Sequence, residues 1–170
     1  MNGGARIAGT PASRSSEMLL LFSLSGETFG ITVSNVSEVL DPIPPTEIPN
    51  ADPFAAAVVN VRGAIVPLID IRRRLRIRVT TEDGDTRIVV LDLPIGGVPT
   101  KIAMIADAVT KVIETDLGAL EPIPELGARW PKKFVEGVAR HDGDLVVLLD
   151  PQTLFDPDEP TAPDMQETTT

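Results

Sequence analysis

Cysteine and tyrosine are both missing from the 170-residue chain, and histidine and tryptophan occur once each. Without thiols there are no disulfides, thiol nucleophiles or thiolate metal sites. The single histidine, His141, excludes a zinc site built from several histidines. Aromatic residues make up only 4%, too few for the stacking platforms of a single-strand nucleic-acid binder. Long apolar runs are missing too. The longest, 54–59, has six residues, against the roughly 20 that a membrane helix needs. No basic-then-apolar start with a small-residue cleavage site is present, so export by signal peptide is not expected.

Positive charge is also scarce. Fifteen Lys and Arg stand against 25 Asp and Glu, a net charge of -10, and an acidic body repels phosphate backbones and anionic membranes. One basic knot opposes this: Arg72, Arg73, Arg74, Arg76 and Arg78. It reads either as a nucleic-acid patch or as a solvated charged face.

Between the ends lies material for a β-fold. Residues 1–16 are small and polar, and 157–170 are acidic and proline-rich, so both are expected to be disordered tails around a folded body at 17–156. Short apolar stretches bounded by turn residues predict ten strands: 19–24, 29–33, 36–40, 58–61, 64–71, 87–93, 100–106, 109–113, 134–139 and 145–150. Asp142-Gly143 favours a tight hairpin turn. The stretch 42–53, with five prolines, reads as a rigid connector. Helical periodicity is slight, with at most one turn at 152–155. The expected fold is all-β, as barrels or a sandwich.

An internal repeat refines this. At a shift of 80 residues, Phe54, Val58, Gly63, Val66, Leu68 and Asp70 meet Phe134, Val138, Gly143, Val146, Leu148 and Asp150. Upstream, 33–39 resembles 106–112 at a shift of 73. The body is therefore expected to be two related halves of about five strands, packed together with a cleft between them. The halves differ at one turn, where Arg62 in the first is matched by Asp142 in the second. A cation there serves either a directed contact to a partner or a local pair, with Glu38 as the candidate. Val36, Val39 and Val112 lie on mixed polar and apolar segments, and read either as core or as the lining of a cleft that receives a helix.

Catalytic patterns are not supported. Asp70 and Asp150 are twinned, but they end strands instead of sitting on the small-residue loops of an acid-protease dyad, so each is expected to cap its strand. Gly96-Gly97 is a hairpin turn without a following Lys-Ser/Thr, so it is not a phosphate loop. No G-x-S-x-G occurs, and the acids lack calcium-loop spacing. No enzyme activity, cofactor or metal is expected.

The run 57–72, with Asn60, Arg62, Gly63, Pro67 and Asp70, resembles the signature of the CheW-like family of chemotaxis coupling proteins. So do Phe22-x-Leu24 with Phe29-Gly30-Ile31, Val36-x-Glu38-Val39, Ile48-Pro49-Asn50, and the second-half stretches 105–109, 134–138 and 145–150. The resemblance spans about 17–156. It implies two SH3-like five-stranded barrels and a non-catalytic cytoplasmic adaptor, recruited to membrane-bound chemoreceptor arrays. Its implied partners are the regulatory domain of the histidine kinase CheA and the helical cytoplasmic tip of the receptor, with no nucleic acid and no membrane insertion. The receptor-facing residues it implies are Val36, Glu38, Ala57, Arg62 and Val112. Ala57 and Ala103 stand where the family usually has glycine, and a methyl there narrows a close backbone approach. Two other readings remain open at this point. One is an adaptor of a different chemosensory-type pathway, for surface motility or development. The other is a two-barrel module binding nucleic acid or polysaccharide through 72–78.

Overall fold

The computed structural model describes residues 16–78, 84–123 and 130–159. Most of both expected tails lies outside these. Ser16 opens the first strand, and the Glu159 carbonyl, just past the expected body, accepts a hydrogen bond from Arg74.

Among the described residues eleven strands form: β1 (Ser16–Leu24), β2 (Glu27–Thr32), β3 (Val36–Leu40), β4 (Thr46–Glu47), β5 (Ala57–Val61), β6 (Ala64–Ile69), β7 (Arg87–Ile95), β8 (Val98–Ala106), β9 (Ala108–Asp116), β10 (Val135–His141) and β11 (Asp144–Leu149), followed by the one-turn helix α1 (Pro151–Leu154). The strand that the sequence reading missed is the two-residue β4, inside the proline-rich connector. It pairs with β5 through Thr46 and Glu47, and its shortness suits a proline-flanked edge.

The strands build two sheets. One has five strands in the order β10-β11-β2-β1-β9, and the other has six in the order β3-β7-β8-β6-β5-β4. The expected barrels are thus two sheets, and among the described residues no ladder closes either into a ring. The expectation of two sequential halves also needs correction. The five-stranded sheet takes β1 and β2 from the first repeat and β9 to β11 from the second, while the other sheet takes the remainder. The chain changes sheet at the 3-10 turn Val33–Asn35 and again at Asp107. Repeat-equivalent strands nevertheless pair alike. Leu68 lies opposite Ala103 in the parallel β6–β8 pair, and its counterpart Leu148 lies opposite Gly30 in the parallel β11–β2 pair.

Three apolar clusters hold the sheets. Val59, Val61, Val66, Leu68, Ile88 and Val90 fill the six-stranded sheet. Leu19, Leu21, Ile113, Val146 and Leu148 fill the five-stranded one. The largest cluster lies between them and joins Leu20, Phe22 and Leu24 of β1 to Val89, Leu91 and Leu93 of β7. Strands β1 and β7 are therefore buried on both faces, which explains why they read as unbroken apolar runs and do not alternate.

The basic knot is largely consumed inside this core. Arg72 is buried, with its Nε 2.8 Å from Asp70 Oδ1. Arg74 is buried too. Its guanidinium donates to the carbonyls of Leu154, at 2.8 Å, and Glu159, at 2.6 Å. It also stacks 4.0 Å from the Phe54 ring and 5.7 Å from that of Phe134, the repeat-related pair. Burial lowers the pKa of Arg74, and neighbouring acids oppose that shift. Only Arg73, Arg76 and Arg78 of the knot are exposed. It is not a wholly solvated face, and with two of its five arginines buried the nucleic-acid reading loses much of its support.

Candidate functional site

Among the described residues, all four two-residue hairpins turn through a pair of positive-φ residues: Ser25-Gly26, Arg62-Gly63, Gly96-Gly97 and Asp142-Gly143. This is the turn whose twist matches that of the flanking strands, and it favours Gly, Asn and Asp. Arg62, at φ 53°, carries the longest side chain of the four first positions, and outside the hairpins Arg76 shares the conformation at φ 58°. A long side chain in the left-handed region is strained, and strain of this kind concentrates where a side chain is needed for function. The turn itself is closed by Asn60, whose Oδ1 accepts from the Gly63 amide at 2.8 Å. Arg62 is thus free to reach elsewhere.

It reaches β3. Arg62 donates from Nη2 to Glu38 Oε1 at 2.8 Å and from Nε to both carboxylate oxygens at 3.2 Å. The Arg62 side chain is 76% exposed and that of Glu38 22%. These hydrogen bonds hold the Glu38 carboxyl below the usual carboxylate range and push the Arg62 guanidinium up.

The valines are arranged by two bulges. In β3 the register slips between Val36, opposite Leu91, and Glu38, opposite Val90. The extra residue, Ser37, resets the alternation. Val36 and Val39 therefore both face the core shared by the sheets, while Glu38 between them faces the other way. In β9 the register slips in the equivalent place, and Thr110 is the extra residue. Val109, opposite Phe22, and Val112, opposite Leu20, face the shared core in turn. Val36 and Val109 pack against that core, whereas Val39 is 39% and Val112 47% exposed. Each edge strand thus presents a short apolar strip on its shared-core side, Val36 and Val39 on β3 and Val109 and Val112 on β9, and the Glu38–Arg62 pair lies on the opposite face of β3. Such a strip suits the apolar face of a helix.

Beside β3 lies a shallow cavity of about 370 Å³, lined by Leu93, Pro94, Pro99, Thr100 and the Asp92–Lys101 ion pair. Lys101 Nζ is 3.4 Å from Ser37 Oγ.

Of the five residues singled out from the sequence, the structure joins Glu38 to Arg62 and places Val36 and Val112 on the seam side of equivalent edge strands. Ala57 stands apart from the Arg62 turn. It starts β5, opposite Glu47 and Leu68, the length of the strand, roughly 16 Å, from the Arg62 turn. Val109 was missed, although its match to Val36 was visible in the repeat. Asp70 and Asp150 accept hydrogen bonds from the amides of Arg72 and Gln152, both at 3.1 Å. Both carboxylates close turns after their strands, as an Asp at such a position commonly does.

A family model described as the CheW-like domain matches residues 18–159. The chemotaxis protein CheW of Bacillus subtilis is 25% identical over 150 residues, covering 86% of this chain and 92% of the relative. That of Klebsiella aerogenes is 25% identical over 159 residues, covering 94% and 93%. Among solved structures, the scaffolding protein TtCheW of Thermoanaerobacter tengcongensis superposes with a TM-score of 0.73 at 31% identity, covering 85% of this chain and 91% of that one.

Proposed function

The chain belongs to the CheW-like domain family, and from that premise we propose that it is a non-catalytic chemotaxis scaffold coupling chemoreceptors to the histidine kinase CheA. The observation that carries this reading is the seam. Two equivalent bulges turn Val36, Val39, Val109 and Val112 to the shared-core side of their edge strands, and in this reading the two strands form one apolar strip with Arg62, held by Glu38, at its edge.

In this reading the receptor's helical tip lies along the strip. Val39 and Val112 supply apolar contact and Arg62 the directional polar contact, with Glu38 orienting the guanidinium. A fork of fixed donors suits a carboxylate or carbonyl on the partner. The kinase binds elsewhere, through its regulatory domain, so one chain holds both proteins at once. No chemistry is assigned to the carboxylates Asp70 and Asp150, whose oxygens close turns. The protein works from the cytoplasm, recruited to membrane-bound receptor arrays. Among the described residues no helix is long and apolar enough to cross a membrane.

The experiment is co-sedimentation. Purified kinase mixed with receptor-bearing membranes is expected to pellet only when this chain is added. Kinase that stays in the supernatant with the chain present would overturn the coupling role.

A further inference from the structure

Exchanging the two repeats carries each sheet onto the other. A rotation that does this is its own inverse, so the relation is an approximate two-fold. The elements of the candidate site are therefore present twice. Glu38, Val39 and Arg62 correspond through the repeat to Lys111, Val112 and Asp142. Lys111, like Glu38, sits on the edge strand of its sheet and faces that sheet's own core, lying opposite Leu21. Asp142, like Arg62, is the first residue of the matching turn, at φ 52°. The second pair also forms, with Lys111 Nζ 3.7 Å from Asp142 Oδ2. His141 Nε2 lies 3.2 Å from the same oxygen.

The shape repeats, but the charge does not. In the first pair the more exposed member is the cation, with Arg62 at 76% and Glu38 at 22%. In the second it is the anion, with Asp142 at 74% and Lys111 at 51%. An apolar strip with two-fold symmetry accepts a helix equally well in either direction. On a strip flanked by the two pairs, charges of opposite sign remove that degeneracy, because the wrong direction sets like charges against each other.

We propose that Lys111 and Asp142 form the second polar anchor of the docking strip and fix the direction in which the partner helix lies. The fitting partner is a helix that turns a carboxylate toward Arg62 and a cation toward Asp142, with apolar residues between them over Val39 and Val112. This rests on the reading that the strip docks a receptor helix.

The test uses the full chain and the cytoplasmic tip of the cognate receptor as a soluble helical hairpin, with affinity measured by calorimetry. Asp142→Asn removes the charge yet suits the left-handed turn. Lys111→Glu with Asp142→Lys gives the second pair the polarity of the first, and Arg62 shows that this turn accepts a long cation. Expected are a roughly fivefold loss for Asp142→Asn and more than about tenfold for the exchanged pair, with the melting temperature close to wild type for Asp142→Asn and about 2–4 °C lower for the exchanged pair, which puts a long side chain in the left-handed turn. If Arg62→Ala weakens binding while both changes at the second pair leave it unaltered, the second anchor is wrong and the receptor reading stands. If wild type does not bind the hairpin, or none of the three variants alters binding, the strip is not the docking site and both fall.

Discussion

Arg62 grips Glu38, 24 residues earlier in the chain, through three hydrogen bonds, from a backbone conformation that arginine rarely adopts. Strain and grip act on the fold in opposite directions, and a substitution separates both from the proposed partner contact. Replacing Arg62 by Asn relieves the left-handed strain and removes the guanidinium. The melting temperature of Arg62→Asn is expected to hold or to rise by about 2–4 °C, while receptor binding is lost. A drop of several degrees would make the Glu38 pair a structural element.

The same pair has a pH signature. The Glu38 carboxyl is held below the usual range, chiefly by its hydrogen bonds to Arg62. A depressed folded-state pKa stabilises the fold at neutral pH, and that contribution is lost as pH falls through the depressed value. The melting temperatures of wild type and Glu38→Gln should therefore differ near neutrality and converge in acid, below the ordinary carboxylate range. A gap that widens on acidification would contradict this origin.

Arg74 sits between the repeat-related Phe54 and Phe134 and satisfies carbonyls of the C-terminal turn. Arg74→Met leaves those carbonyls without their donor, so unfolding in urea should show a loss of about 2–3 kcal/mol. A change under about 0.5 kcal/mol would show that the guanidinium is dispensable.

Gly137 and Ala57 occupy the same place in the repeat. A methyl on Gly137 would lie 3.0 Å from Leu120 Cβ and 3.1 Å from the Glu121 carbonyl oxygen, next to the bridge that joins Glu121 to Val138. Backbone cannot swing aside as a side chain can, so Gly137→Ala should cost about 1–2 kcal/mol. Unchanged stability would mean that the 120–121 segment yields easily.

With Arg72 and Arg74 buried, three exposed arginines remain in the basic knot on an acidic chain. No retention on heparin or DNA columns is expected at physiological salt. Retention that weakens when Arg73, Arg76 and Arg78 are replaced would restore a polyanion-binding role.

The hairpins were legible because turn chemistry is local: Ser-Gly, Gly-Gly and Asp-Gly announce them, and the repeat extends the pattern to Arg62-Gly63. Strand exchange was not legible. A repeat shows which segments are alike, but pairing is decided by where the chain crosses, here at Val33–Asn35 and at Asp107. The burial of Arg72 and Arg74 was hidden for a related reason. A charge run looks solvated until long-range partners appear, among them the carbonyls of Leu154 and Glu159. The valine strip was half visible. Val36 and Val39 are three apart, an odd spacing that places alternating side chains on opposite faces, and only the bulge at Ser37 brings them together.

In the proposed coupling, one chain holds receptor and kinase through separate surfaces, with Arg62 on the receptor side alone. Its most direct test is the affinity of Arg62→Ala for both partners, measured side by side with wild type. Binding to the receptor hairpin should fall by at least about tenfold, with kinase regulatory-domain binding unchanged and the melting temperature lowered by no more than about 4 °C, the worth of an exposed ion pair. Receptor binding equal to wild type, or equal losses toward both partners, would contradict it.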